Sequence, residues 1–301
     1  MLLDWKTLIV DYEFYLRIER GLAENTVKNY SLDIVSLAKF ISSNKILEQP
    51  KDCSRETLQH FIRQQSKSVT ATSQARRISS IKSFFNFLIF EKIRTNSPAD
   101  LIEGPKLGRK LPVTLSLTEI EKILTGIDLS LSNGQRNRAI IETLYGSGLR
   151  VSELVNLTLS DIFFKEDIIR VTGKGDKQRL VPLGSYSKKY IEIYKDEIRD
   201  LKKIKIEDND ILFLNRNGGK MTRAMIFNIV KDSAFKVGIK KKISPHTYRH
   251  SFATHLLENG ADLKSIQLLL GHESITTTEI YTHLDNKHLK RVMEKFHPRN
   301  K

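Results

Sequence analysis

Between positions 104 and 112 the chain reads Gly-Pro-Lys-Leu-Gly-Arg-Lys-Leu-Pro, with two glycines, two prolines, three basic residues and little apolar content. Such a run neither propagates a helix nor pairs readily in a sheet, so it predicts an extended linker between two domains. The expected division is 1–103 for an N-terminal domain, 104–112 for the linker and 113–301 for a second domain. With 301 residues, each side is long enough to bury its own core.

Before the linker, apolar residues recur close to a 3.6-residue period. Trp5, Leu8, Ile9, Tyr12, Tyr15, Leu16 and Ile18 predict a helix over 4–20, ended by Gly21. Asn25 or Thr26 is expected to cap a second helix striped by Tyr30, Ile34, Leu37, Phe40 and Ile41. A third starts near Ser54, with Glu56 in its first turn, and a fourth runs over about 72–92. Four short-looped helices describe a compact all-α domain. Lys28, Arg76, Arg77 and Lys82 fall on its polar faces, where the bland expectation is a solvated surface.

After the linker the pattern changes. Helices are expected over 117–127 and 135–145, and Gly146-Ser147-Gly148 breaks the chain just before Arg150 starts another. Two β-rich runs, 167–171 and 178–182, flank Gly173-Lys174-Gly175-Asp176, a hairpin turn in composition. An amphipathic helix is expected over 188–202, a strand over 211–214, and a helix over 225–237. The expected fold is therefore mainly α, with a small β-sheet in the second domain.

The chemistry concentrates in residues 244–281. Ser244 is a good N-cap and Pro245 suits the first helical position. His246 and Arg249 then fall three apart on one helical face, beside the unpaired N–H groups of the helix start. Asp262 caps a further helix that ends at Gly271, delivering His272 from a turn, and Tyr281 follows nine residues later. Two histidines, an arginine and a tyrosine in this span suggest phosphate chemistry with a phenolic nucleophile. His246 and His250, four apart, also permit a zinc reading, but no HExxH pattern or cysteine pair supports it. Cys53 is the single cysteine, so no internal disulfide is expected.

Fifty Lys and Arg against 35 Asp and Glu give a formal charge of +15, which favours a polyanionic partner such as nucleic acid. Met1-Leu2-Leu3 runs at once into Asp4 and Lys6, so no signal peptide or membrane span is expected, and the expected location is cytoplasmic. Six basic residues against Glu294 mark a tail over 287–301, and Leu289, Val292, Met293 and Phe296 give it an apolar stripe.

Gly148-Leu149-Arg150-Val151-Ser152-Glu153-Leu154, Thr172-Gly173-Lys174-Gly175, His246-Thr247-Tyr248-Arg249-His250, Leu270-Gly271-His272 and Thr278-Glu279-Ile280-Tyr281 together resemble the tyrosine recombinase (phage integrase-like) family, in its Xer branch. The resemblance spans nearly the whole chain. It implies a four-helix SAM-like core-DNA-binding domain and a C-terminal catalytic domain that clamp duplex DNA. It also implies Tyr281 as nucleophile, with Arg150 and Arg249 holding the phosphate oxygens. His246 and His272 would supply hydrogen bonds and proton transfer, and Lys174, rather than its hairpin neighbour Lys177, would protonate the leaving 5′-oxygen. Neither metal, ATP nor another cofactor is expected. The implied partners are a double-stranded DNA recombination site, a homo- or hetero-tetramer with itself or a second Xer-type recombinase, and a DNA translocase. The tail would dock on a neighbouring protomer. Chromosome-dimer resolution at cell division is the expected role, with the integrase of a mobile element as the alternative. An accessory protein without catalysis and a monomeric nicking-closing topoisomerase are further classes, the first disfavoured by the complete catalytic set.

Overall fold

Apolar stripes and side-chain caps account for the first unit of the chain. In the computed structural model, which describes residues 4–106, 108, 113–131, 133–173, 177–200, 203–271 and 283–300, the chain divides into two compact units, Met1–Lys110 and Leu111–Lys301. The first holds α1 (Trp5–Ile18), α2 (Glu24–Ser43), α3 (Arg55–Gln65) and α4 (Ala71–Phe90). Asp4, Ser54 and Thr70 cap α1, α3 and α4 by accepting hydrogen bonds from backbone N–H groups three residues on. The cap of α2 differs from expectation. The helix begins at Glu24 after Ala23, so Asn25 and Thr26 lie inside its first turn, where Thr26 N–H bonds to the Ala23 carbonyl. Tyr12, Leu16, Ile34, Leu37, Phe61, Phe84 and Phe85 form the buried centre of this unit.

The second unit contains α5 (Leu117–Thr125), α6 (Gly134–Gly146), α7 (Val151–Asn156), the strands β1 (Ile162–Phe163), β2 (Ile168–Thr172) and β3 (Gln178–Pro182), α8 (Ser185–Tyr194), α9 (Arg223–Lys236), α10 (Pro245–Glu258), α11 (Leu263–Leu270) and α12 (His283–Phe296). The strands form one antiparallel sheet in the order β1-β2-β3, with Ile169 opposite Val181 and Thr172 opposite Gln178. The Gly173 N–H bonds to the Lys177 carbonyl at the hairpin end, while Lys174 itself lies outside the described residues. Nearly every residue of α6 is buried, with α8 and α10 packed along it. Among the described residues no helix is long and apolar enough to cross a membrane.

Two expectations need correction here. The helix expected over 188–202 is α8, which passes into a π-helical turn at Lys195–Arg199. Residues 211–214 form no strand, only isolated bridges of Ile211 to Thr158 and of Leu214 to Lys220. Leu212, Phe213 and Leu214 are completely buried, and a short run apolar on every side reads like a strand when only its composition is visible. The tail helix α12 packs on its own unit. Leu289, Val292 and Met293 sit in the core of their own unit, Lys290 pairs with Asp167 at 3.0 Å, and Arg299 forks Glu142 at 2.7 and 3.0 Å. Arg299 also stacks over Tyr186, and the Asn300 side chain accepts from the Ser185 N–H at 2.9 Å. These contacts use the face expected to dock on another protomer.

Candidate active site

Ser244 and Thr247 set the start of α10. The Ser244 N–H donates to Thr247 Oγ1 at 3.1 Å, and Pro245 occupies the first turn. That leaves His246 exposed at the helix start and turns Arg249, one turn on, into the interior. A cleft of about 640 Å³ is lined by Lys242, His246, Arg249 and His250 from this region and by Leu263, Gln267 and Leu270 of α11. One wall thus presents cations and hydrogen-bond donors, as an anionic ligand requires. Among the described residues no group of three or more His, Cys, Asp or Glu side chains gathers for a metal, so His246 and His250 lack further ligands there.

Arg150 reaches the same region from another element. It is the N-cap residue of α7, and its backbone N–H donates to Glu153 Oε2 at 2.8 Å. Its side chain, one-third exposed, donates to Glu153 Oε1 at 2.8 Å and to the Gly271 carbonyl at 3.0 Å. Arg249 donates to the Gly148 carbonyl at 2.8 Å and to the Leu270 carbonyl at 2.5 Å. Gly148 makes that approach feasible. It sits at φ 58°, and a Cβ there would meet the Phe252 ring at 2.6 Å. The structure therefore brings Arg150, His246 and Arg249 into one neighbourhood. The other expected site residues, Lys174, His272 and Tyr281, lie outside the described residues.

Two residues without an assigned role in the sequence reading hold this arrangement. Glu153 is almost fully buried, and Arg179 of β3 forks it, at 2.7 Å to Oε1 and 3.0 Å to Oε2. Burial pushes the Glu153 carboxyl up, but the Arg179 bonds and charge and the Arg150 bonds outweigh it, so the group sits below its ordinary value. Burial, and then the charge of Arg150, push the Arg249 guanidinium down to about 10. The sequence held a signal for each. Glu153 stands three residues after Arg150 on a helix, a pairing distance. Arg179 shares strand parity with the buried Val181, so its side chain had to point inward.

The surrounding histidines divide as structure dictates. His255 Nδ1 pairs with the Tyr145 hydroxyl at 2.7 Å, a structural role. His297, in the turn after α12, is buried against the Tyr145 and Phe252 rings, and burial pushes it down to about 3. Of the polar-face residues in the first unit, Arg76 and Arg77 both bind the buried Asp33, and Lys28 is exposed.

Comparison with known proteins gives the same pattern a context. The Phage integrase family profile matches residues 114–288, and the profile for the Phage integrase N-terminal SAM-like domain matches 9–92. The tyrosine recombinase XerD of Listeria monocytogenes serotype 4b is 43% identical over 295 residues, covering 97% of this chain and 99% of that protein. The tyrosine recombinase XerD of Staphylococcus aureus is 40% identical over 297 residues, covering 98% and 99%. Among solved structures, the XerH site-specific recombinase bound to palindromic difH substrate in a post-cleavage complex aligns with a TM-score of 0.68 at 26% identity, covering 89% of this chain and 79% of that one.

Proposed function

Because the chain belongs to the phage integrase family of tyrosine recombinases, we propose that it joins Tyr281 covalently to DNA at a defined recombination site. It is a site-specific recombinase with a SAM-like N-terminal domain and an integrase-type catalytic domain, and its partner is a DNA recombination site. The observation that carries the residue-level reading is the meeting of Arg150 and Arg249 at the end of α11, one residue before His272.

In this reading the phenolate oxygen of Tyr281 attacks the scissile phosphorus, and a 3′-phosphotyrosine forms as the bond to the 5′-oxygen breaks. Lys174 gives that oxygen its proton. Arg150 and Arg249 face the non-bridging oxygens, where two fixed guanidiniums stabilise the extra charge of the transition state. His246 and His272 assist proton transfer, since a phenol with an ordinary pKa near 10 needs help to ionise. The phosphotyrosine keeps the bond energy, and an incoming 5′-hydroxyl reverses the step.

The task in the cell that fits best is chromosome-dimer resolution in the cytoplasm, because full-length likeness to XerD proteins favours it over element mobility. The working form is a tetramer on paired sites, made with itself or with a second Xer-type recombinase, and a DNA translocase fits as its regulator. Any exchange of α12 between protomers has to release Leu289, Val292 and Met293 from their own core. Truncation after Leu284 therefore exposes that core and is a poor probe of assembly. Charge reversal at exposed Lys287 is a milder one.

Mapping covalent protein–DNA adducts across the host chromosome tests the reading. Adducts at a single chromosomal site that vanish in Tyr281→Phe and survive EDTA are expected. Adducts at the ends of a mobile element, or adducts that persist in Tyr281→Phe, would overturn it.

A further inference from the structure

Three consecutive main-chain carbonyls end α11, and each is held by a different arginine. Arg179 Nε donates to Leu269 at 3.3 Å, Arg249 to Leu270 at 2.5 Å and Arg150 to Gly271 at 3.0 Å. A helix C-terminus leaves these oxygens without in-helix partners and carries the negative end of the dipole, so guanidinium groups satisfy both needs. The same three arginines surround one carboxylate. Glu153 accepts from Arg179 at 2.7 and 3.0 Å and from Arg150 at 2.8 Å, and Arg249 stands 3.9 Å away. The cluster draws on α7, β3, α10 and α11, elements far apart in the chain.

Arg150 and Arg249 have a use in phosphate binding. Arg179 does not. Its side chain is 8% exposed, it does not line the cleft, and among the described residues its bonds end on Glu153 and Leu269. Without it, Arg150 would be the main partner of a buried carboxylate and would be drawn fully onto it. With it, both Glu153 oxygens are already engaged, and Arg150 shares Oε1 with a second cation. The charge count follows. Three guanidiniums against one carboxylate leave two positive charges for a phosphate whose transition state gains negative charge.

We infer that Arg179 is a positioning residue for strand cleavage, which engages Glu153 and the end of α11 so that Arg150 and Arg249 keep their charge for the scissile phosphate. This rests on the reading of those two arginines as phosphate ligands. Arg179 also fixes its neighbour. A Cβ at Gly271 would lie 2.9 Å from Arg179 Cδ, so the glycine and the arginine come as a pair.

Single-turnover adduct formation tests it, on a nicked duplex built from the chromosomal site at which the wild type is trapped. A second duplex carries a methylphosphonate at the scissile position, which removes one negative charge. Arg179→Met is expected to bind the duplex within about threefold of wild type but to cleave about 100-fold more slowly, and the deficit should shrink about tenfold on methylphosphonate. Arg179→Lys keeps the charge and loses the fork, so an intermediate rate is expected, and this variant carries the test if Arg179→Met does not fold. Wild-type cleavage by the variant, or an equal deficit on both duplexes, overturns the inference. A wild type that forms no adduct, or an Arg150→Ala variant that cleaves undiminished, overturns the phosphate-ligand reading beneath it instead.

Discussion

Asp33 and Glu153 are buried carboxylates that each collect arginines, one in each unit of the chain, and they do so across very different distances in sequence. Asp33 lies on α2 and binds Arg76, Arg77 and Ser80, all from one stretch of α4. Its cluster fixes how two helices cross. Glu153 binds Arg150 from its own helix start and Arg179 from β3, with Arg249 of α10 beside it, and through them it reaches α11. Exposure separates them further. The Arg76 side chain is 40% exposed and can turn to water, whereas Arg179 and Arg249 are 8% and 10% exposed. The first cluster clamps two helices and has one well-solvated end, and the second joins four elements with Arg179 and Arg249 shut away from water.

Removing each acid tests this contrast most severely. Glu153→Ala strands Arg179 as a buried unpaired cation, so a loss of about 3–5 kcal/mol is expected, with cleavage abolished. Asp33→Ala lets Arg76 hydrate, so about 1–3 kcal/mol is expected, with the cleavage rate of bound enzyme little changed. Denaturant unfolding and single-turnover cleavage measure both, and equal losses would break the comparison.

A smaller effect is expected at Gly271. Gly271→Ala places a side chain at φ 63° and against Arg179, costing about 1–2 kcal/mol from the left-handed backbone plus the displacement of the guanidinium. Cleavage should slow by about tenfold or more. Thermal melting separates the strain from the rate. An unchanged rate would mean that the α11 end does not position the arginines.

Acid adds a gentler probe. His255 and His297 both sit below their ordinary value of 6.5 because burial disfavours the charged ring, and His297 is pushed to about 3. The unfolded chain therefore binds more protons just below 6.5, so stability is complete above that pH and falls as pH drops. Glu153 lies below its ordinary 4.5, so its contribution is present above 4.5 and is lost only as pH falls further. Between pH 6.5 and 5 the decline thus reports the histidines. Melting midpoints over that window should fall for the wild type and fall less for His297→Leu. The smallest effect is expected for Arg76→Ala, at about 0.5–1 kcal/mol, since its ion pair is partly solvated.

Much of the fold could be read from apolar period and caps alone, and Leu58, Phe61, Phe84 and Leu88 are buried as their helical spacing requires. What local pattern did not reveal shares a cause. Residues 211–214 and the α12 stripe are apolar in sequence, but what covers them is set elsewhere. Leu212 N–H bonds to the Leu157 carbonyl and Leu214 N–H to the Tyr194 hydroxyl, partners that no local pattern names. The site divides in the same way. His246 and Arg249 were legible because a helix start dictates where they point. Arg179 was legible only as an inward parity, because its value depends on Glu153, 26 residues away.

The grip on α11 has a consequence for how this chain can drift. Arg179, Arg249 and Arg150 hold main-chain oxygens, which every amino acid supplies alike. The side chain of Leu269 answers only to the hydrophobic core, and that of Leu270 to the core and the apolar wall of the cleft. In a saturation library, positions 269 and 270 should accept other apolar residues of similar volume at little cost to recombination. Position 271 should accept almost nothing. The letters most tightly bound to the site in space would then be among its least informative in sequence, with a single glycine as the exception.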